Sequence, residues 1–370
     1  MMSAKPFRHA PLFWEKRGLV SWLLWPASCA YGLIVRLKTL WNDLGFRHIT
    51  PIPVPIIIVG NLRVGGTGKT PIVIALANQL SALGWKPGII SRGYGAPGQS
   101  KWSNNPAQKV LNSSDPALVG DEPVHIANRT QDRFPIWVHP LRLKSINALL
   151  EHNPQVDVII SDDGLQHTKL PRWPAREGGR DIEIVVRDDR KEGNRFLLPA
   201  GPLRESAKRD RDATMYTHSG PLTHEEQNGY FQGRRLFTLT ATLGVAYQLK
   251  HPTNTRDLHE VGNTCPALDI TAVAALGHPQ RFFKDLKKYG IHPHCIGLPD
   301  HSTYTPEFFK TIVAQCILIT EKDAVKCNGI DDERIWVVPM TLLLSDDLMD
   351  WLESILRRPD PYCKQPKEKN

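Results

Sequence analysis

The 370-residue sequence predicts an α/β fold: a parallel sheet with helices on both faces, a smaller α/β unit after it and an apolar helical segment before it. Three observations carry this prediction. Ile56-Ile57-Ile58-Val59 is a short continuous apolar run, the pattern of a strand buried on both faces. A glycine-rich turn and an apolar-periodic helical stretch over 69–83 follow it, and Gly84 can end that helix. Apolar runs and helical periodicity then keep alternating along the chain, as crossover-linked parallel strands require.

Taken in order, residues 1–50 form an N-terminal helical segment, and Pro51-Ile52-Pro53-Val54-Pro55 is a stiff linker into a core domain over 51–245. Within that domain strands are expected near 88–91, 136–138, 156–160 and 182–186, with a helix over 142–152. A hairpin-like stretch is expected over 213–243 around the polar turn 225–234. A connector to residue 264 puts the boundary near 245. The second unit, 246–356, should hold strands near 271–276, 317–320 and 335–338, and helices near 280–289, 306–315 and 346–356. The tail 357–370 reads as disordered, and no internal repeat is visible.

A composition 41% hydrophobic suits two packed domains. The net charge is +8, and five of those charges lie in residues 1–47, where Lys5, Arg8, Lys16, Arg17, Arg36, Lys38 and Arg47 face only Glu15 and Asp43. A nucleic-acid binder spreads its basic residues over a folded face. A basic, Trp-rich segment suits an anionic membrane surface instead. The six cysteines show no CxxC pair and no regular spacing, which argues against a disulfide framework or a zinc site and for a reducing compartment.

Residues 19–35 carry no charge, are flanked by Lys16-Arg17 and Arg36-Lys38, and are accompanied by Trp14, Trp22, Trp25 and Trp41. The run sits at the lower limit for a spanning helix and contains Pro26, Ser21, Ser28 and Gly32. A signal peptide is a second reading, hinted at by Ala27-Ser28-Cys29, but Pro26 is a poor residue just upstream of such a cleavage site. An interfacial amphipathic helix or hairpin accounts for the basic flanks, the Trp residues and the internal Pro together. That reading predicts a peripheral or monotopic protein and a lipid-linked substrate.

The turn after the first strand reads Arg63-Val64-Gly65-Gly66-Thr67-Gly68-Lys69-Thr70. Successive backbone N–H groups of such a loop point at phosphate oxygens, and the following helix adds its positive dipole end. Lys69 reaches the β and γ phosphates, and Thr70 offers a hydroxyl to Mg²⁺. The match to G-x-x-x-x-G-K-[ST] departs at its first position, where Arg63 replaces Gly. With strand and helix in place, the sequence indicates a P-loop NTPase-type core binding ATP with Mg²⁺.

A P-loop needs an acid at the end of another buried strand, and Asp162 or Asp163 supplies it; an Asp-Asp-Gly turn is the plain alternative. Phosphoryl transfer to a hydroxyl also needs a proton acceptor. Asp121 of Gly120-Asp121-Glu122-Pro123 offers one, although Asp121 as a helix cap with Glu122 in the first turn explains the same residues. His301 and Arg204, taken alone, are ordinary surface or structural residues.

These strings form an ordered set: Val59-Gly60-Asn61-Leu62 before the loop, Ser91-Arg92-Gly93-Tyr94-Gly95, Gly120-Asp121-Glu122-Pro123 and Asp162-Asp163-Gly164-Leu165-Gln166-His167. Leu198-Pro199-Ala200-Gly201-Pro202-Leu203-Arg204-Glu205, Asp300-His301 and Thr320-Glu321-Lys322-Asp323-Ala324-Val325-Lys326 complete it. From about Trp14 to Leu356 the chain resembles the tetraacyldisaccharide 4′-kinase family, inner-membrane enzymes of lipid A synthesis in Gram-negative bacteria. The resemblance implies transfer of the γ-phosphoryl of ATP to the 4′-hydroxyl of an acylated disaccharide 1-phosphate at the cytoplasmic face of the inner membrane. It implies no nucleic acid or protein partner.

By the same resemblance Asp121 is the general base, with His301 orienting it, and Lys69 binds phosphates. Thr70 with Asp162 or Asp163 positions Mg²⁺. Glu122, Arg142, Gln166 and Arg204 are candidates for contacts with substrate or phosphate. The chain departs from the family pattern at Arg63, at an insertion around 173–179 and at a shortened 188–194 loop, and Arg63 is expected to alter nucleotide affinity.

The main alternative is a membrane-associated P-loop ATPase of the partitioning or targeting kind. Those proteins carry a signature Lys directly before Gly-Gly, where this chain has Val64. A GTPase is a third reading, weakened because Thr320-Glu321-Lys322-Asp323 lacks the Lys-x-Asp spacing of the guanine-reading motif.

Overall fold

A computed structural model describes residues 11–45, 52–93, 105–167, 170–218, 222–264, 269–300, 302–327 and 329–359. Tyr94, Gly95, His301 and the tail from 360 lie outside the described residues. Helix α1 (Leu19–Gly45) precedes the first sheet. That sheet takes β1 (Ile56–Gly60), β2 (Pro87–Ser91), β3 (Gln108–Val110), β4 (Ile136–Val138), β5 (Val158–Asp162), β6 (Ile182–Asp188), β7 (Ala213–Thr217), β8 (Tyr230–Phe231) and β9 (Arg234–Leu243). Its helices are α2 (Lys69–Ala82), α3 (Pro116–Val119), α4 (Asp121–Thr130), α5 (Arg142–His152) and α6 (His224–Gln227).

The second sheet takes β10 (Ala246–Gln248), β11 (Thr255–Arg256), β12 (Ile270–Ala274), β13 (His294–Gly297), β14 (Cys316–Thr320) and β15 (Ile335–Val338). Around it lie α7 (Leu258–Thr264), α8 (Pro279–Lys287), α9 (Pro306–Lys310) and α10 (Glu321–Ala324). The chain then adds β16 (Met340–Leu343) and α11 (Asp346–Leu356).

The first sheet runs β16-β9-β7-β6-β1-β5-β2-β4-β3, with β8 paired to β9. All of it is parallel from β9 to β4, and β16 and β3 close the two edges antiparallel. Residues Ile56 to Val59 are fully buried because helices cover both faces. Ile57 and Val59 pack with side chains of α2, α4 and α11, while Ile56 and Ile58 pack with Ile146 and Leu149 of α5. Each such side chain contributes about 1.5–3 kcal/mol through burial. The register sets Val59 against Asp162, so the acid reaches the carboxyl edge of the sheet beside the end of β1.

Four expectations change. The stretch 213–243 is not a hairpin: β7 and β9 pair in parallel through α6, and only β8 turns back on β9, about Gln232 and Gly233, both at positive φ. Parallel pairing lets Met215, Phe237 and Leu239 join one core. The strand expected at 156–160 is β5, displaced toward the acids, because Asp157 instead accepts the Lys86 N–H at 2.7 Å. The helix expected over 306–315 stops at Lys310, and the carbonyls of Ile312 and Ala314 accept hydrogen bonds from Arg334 at 2.8 and 3.2 Å.

The fourth change concerns the last helix. Residues 340–356 do not stay with the second sheet: β16 pairs with β9, and Leu348, Leu352, Ile355 and Leu356 of α11 fill the core under α2. Their apolar periodicity was readable, but the face that it covers was not.

Helix α1 runs unbroken through Pro26, with no hairpin. Its polar groups face the protein: Ser28 Oγ donates to the Leu197 carbonyl at 2.6 Å, Tyr31 OH to Arg204 at 3.1 Å, and Ser21 Oγ to Phe13 at 2.9 Å. Its apolar side chains face outward, among them Leu19, Trp22, Leu23, Leu33, Ile34 and Leu37. The stretch Leu19–Trp41 is long and apolar enough to cross a membrane, and only 11% of its most apolar window is buried.

Candidate active site

The phosphate loop leaves β1 at Gly60 and enters α2 at Lys69. Gly68 caps that helix at φ 79°, a left-handed conformation costly to any residue with a Cβ. Asn61 organises the loop from inside, where Nδ2 donates to the Arg63 and Gly65 carbonyls at 2.7 and 3.1 Å and Oδ1 accepts from Lys69 Nζ at 3.3 Å. The outer side is stapled to the Leu198–Glu205 string. Val64 N–H donates to Pro202 O at 2.9 Å, and Arg204 N–H to Leu62 O at 2.8 Å. Gly277, from the second lobe, lies so close that a Cβ there would meet the Gly66 nitrogen at 2.3 Å.

At the end of β5 the two acids part ways. Asp163 pairs with Lys69 at 3.5 Å and with Arg204 at 3.4 Å. Burial alone would raise its carboxyl, but Lys69, Arg204 and Arg142 together hold it below the ordinary carboxylate range. Asp162 is 1% exposed. Burial, reinforced by the charge of Glu122, pushes its carboxyl up against the opposing pull of Lys69. Neither Asp162 oxygen has a hydrogen-bond partner among the described residues, which suits a carboxylate placed for a cation.

Gly120, at φ 97°, turns the chain into α4, whose first residues are Asp121 and Glu122. Asp121 is 6% exposed, and its Oδ1 accepts the Glu122 N–H at 3.0 Å. Glu122 pairs at 3.1 Å with Lys322 from the second lobe. Although burial by itself would lower the Lys322 ammonium, Glu122, Asp300 and Asp121 hold it above its ordinary range. Glu122, Lys322, Lys69 and Thr70 line one cavity of about 340 Å³, whose lining also includes the apolar Ile74 and Leu276. An apolar wall beside a phosphate cradle suits a nucleotide's flat base and polyanion together.

Lys69, Thr70, Glu122 and the loop glycines Gly66 and Gly68 therefore converge, and Asp162, Asp163, Asp121 and Arg204 stand around them. Gln166 acts indirectly, donating from Nε2 to the Asn61 carbonyl at 3.1 Å. Arg142, 2% exposed, donates to the Asp162 and Asp163 carbonyls at 2.7 and 3.3 Å and so holds the end of β5, while its Nε has no hydrogen-bond partner among the described residues. The Arg63 side chain turns away from the loop's cradle to Glu15. His301 lies outside the described residues. Asn61 and Lys322 were visible within strings but gave no local signal of their contacts, and Gly277 stood in no string.

A βαβ unit with a glycine-rich loop, a lysine and threonine opening its helix, and buried acids at the adjoining strand end define a P-loop nucleotide-dependent enzyme. The chain belongs to the tetraacyldisaccharide-1-P 4′-kinase family, whose model matches residues 20–357. It is 63% identical over 366 residues to a tetraacyldisaccharide 4′-kinase of Polynucleobacter necessarius subsp. necessarius, covering 98% of this chain and 99% of the relative. A Bordetella petrii protein of the same description is 42% identical over 351 residues, covering 93% and 94%. A crystal structure of LpxK from Aquifex aeolicus in complex with ATP superposes with a TM-score of 0.69 at 27% identity, covering 92% of this chain and all of that one.

Proposed function

We propose that the protein transfers the γ-phosphoryl group of ATP to the 4′-hydroxyl of a tetraacyldisaccharide 1-phosphate. The observation that carries this reading is the acidic turn of α4 facing the phosphate loop across one cavity. Lys69 and the loop amides hold the β and γ phosphates in line with that turn. Asp121 accepts the hydroxyl proton as the oxygen attacks, and His301 orients it. Arg204, tied to Asp163, offers its remaining donors to anionic oxygens.

Thr70 and Asp162 are the residues that would hold Mg²⁺, since Asp163 is already engaged with two cations. When bound, Mg²⁺ offsets charge on the transferring phosphoryl oxygens. The exposed apolar face of α1 lies in the cytoplasmic surface of the inner membrane, and its basic flanks meet anionic headgroups, which brings the site to a lipid acceptor.

The test is transfer of labelled γ-phosphate to a 4′-unphosphorylated disaccharide precursor in mixed micelles. No labelled lipid with Mg-ATP present sinks the proposal. Asp121→Asn should lower kcat by about 10²–10⁴-fold while leaving ATP binding within a few-fold. Parental turnover of that variant would remove Asp121 from the role of base.

A further inference from the structure

The Thr320–Lys326 string takes no part in the chemistry above, yet its contacts divide sharply. Asp323 is fully buried and stays within the second lobe: it accepts the Thr320 hydroxyl at 2.7 Å and the Ala275 N–H at 3.2 Å, and pairs with Lys326 at 3.0 Å. Thr320 caps α10 by accepting the Asp323 N–H at 3.3 Å. These bonds make a rigid turn. The two side chains between them leave the lobe.

Glu321 pairs with Arg129 at 3.1 Å, and its other oxygen accepts the Met340 N–H at 3.2 Å. Lys322 pairs with Glu122 and Asp300, each at 3.1 Å, with its own side chain only 15% exposed. Glu122 stands in the first turn of α4 and Arg129 in its last. One turn of the second lobe therefore grips both ends of the helix that carries Asp121, and the Asp121 carboxylate is itself bonded to the Glu122 N–H.

We propose that Glu321 and Lys322 are positioning residues, a two-pronged clamp that aims Asp121 from across the cleft. This rests on the reading of Asp121 as base. Without Lys322, Glu122 and Asp300 are like charges in a largely buried space, and their repulsion works to part the lobes. A carboxylate displaced by an ångström loses catalysis steeply while the phosphate loop keeps its nucleotide.

The experiment compares steady-state lipid phosphorylation by Lys322→Met, Lys322→Arg, Glu321→Gln and Asp121→Asn, each with a thermal unfolding curve. Lys322→Met should lower kcat about 10²-fold with the KM for ATP within about threefold, and Lys322→Arg should recover about tenfold of that loss. Glu321→Gln should lower kcat about tenfold without a change in KM. If Lys322→Met fails to fold, Glu321→Gln, which removes only the charge opposite the partly solvated Arg129, carries the test.

Parental turnover of Glu321→Gln, or of folded Lys322→Met, overturns the clamp. So does a rise in the KM for ATP at intact kcat, which would make Lys322 a nucleotide contact. Parental turnover of Asp121→Asn sinks the base reading. An inactive Asp121→Asn beside parental clamp variants sinks the clamp alone.

Discussion

Arg63, the residue that opens the phosphate-binding loop, is ion-paired with Glu15, on the short turn ahead of helix α1. The guanidinium is 4% exposed and the carboxylate 41%. Arg63 also donates to the Arg190 carbonyl at 3.2 Å, and Asn194 N–H donates to the Trp14 carbonyl at 2.7 Å. The nucleotide loop and the N-terminal segment are thus fastened together. Glu15→Gln leaves a buried guanidinium short of a charged partner, at roughly 1 kcal/mol after discounting for the exposed side of the pair. The expected outcome is a thermal midpoint a few degrees lower and a raised KM for ATP. An unchanged midpoint and KM would mean that the pair couples nothing.

Gly277 predicts a second effect. Alanine there must push its Cβ against the backbone nitrogen of Gly66, and backbone yields less readily than a side-chain tip. Gly277→Ala should raise the KM for ATP about tenfold while unfolding stays close to the parent, because the second lobe is displaced and not unfolded. Nucleotide titration of the variant checks this, and parental affinity would refute it.

His125 supplies a pH dependence. Burial first, then Arg129 and Lys322, lowers its imidazole from 6.5 to about 3, so it stays neutral in the fold where the unfolded chain takes up a proton. Its contribution is intact above the unfolded value and is lost as pH falls toward the folded one, at up to about 1.4 kcal/mol per pH unit. His125→Gln should therefore lose less stability than the parent between about pH 6.5 and 5 in urea unfolding. Parallel losses in the two proteins would contradict it.

The outward face of α1 predicts membrane behaviour. Leu23 is 79% exposed and Leu37 56%, and each would contribute about 1.5–3 kcal/mol on entering an apolar phase. Leu23→Asp with Leu37→Asp should abolish co-sedimentation with phosphatidylglycerol-containing vesicles while phosphorylation in mixed micelles persists. Undiminished sedimentation would point to another membrane-binding surface.

Much of the site was legible because its signals are local. The loop, its lysine and threonine, and the acids ending a strand lie within a few residues of the elements that hold them. Glu122 pairing with Lys322 left no local trace, since the two are 200 residues apart. Arg63 read as an irregularity of the loop because its partner lies 48 residues upstream, in a different element. The 213–243 stretch was misread for a similar reason: a polar turn between two apolar runs looks alike whether the strands return side by side or cross over in parallel.

Sequence alone determined the strand-loop-helix unit, the order of the motifs, the apolar stretch at the N-terminus and hence the family. Backbone propensity, apolar periodicity and loop chemistry act over one or two turns and are written in consecutive residues. Only the tertiary structure decided which acid has no hydrogen-bond partner among the described residues, which cation holds which carboxylate across the cleft, and that β16 and α11 return to the first sheet. Those choices follow from burial and charge neutralisation between segments far apart in the chain, which have no meaning until the sheets have formed.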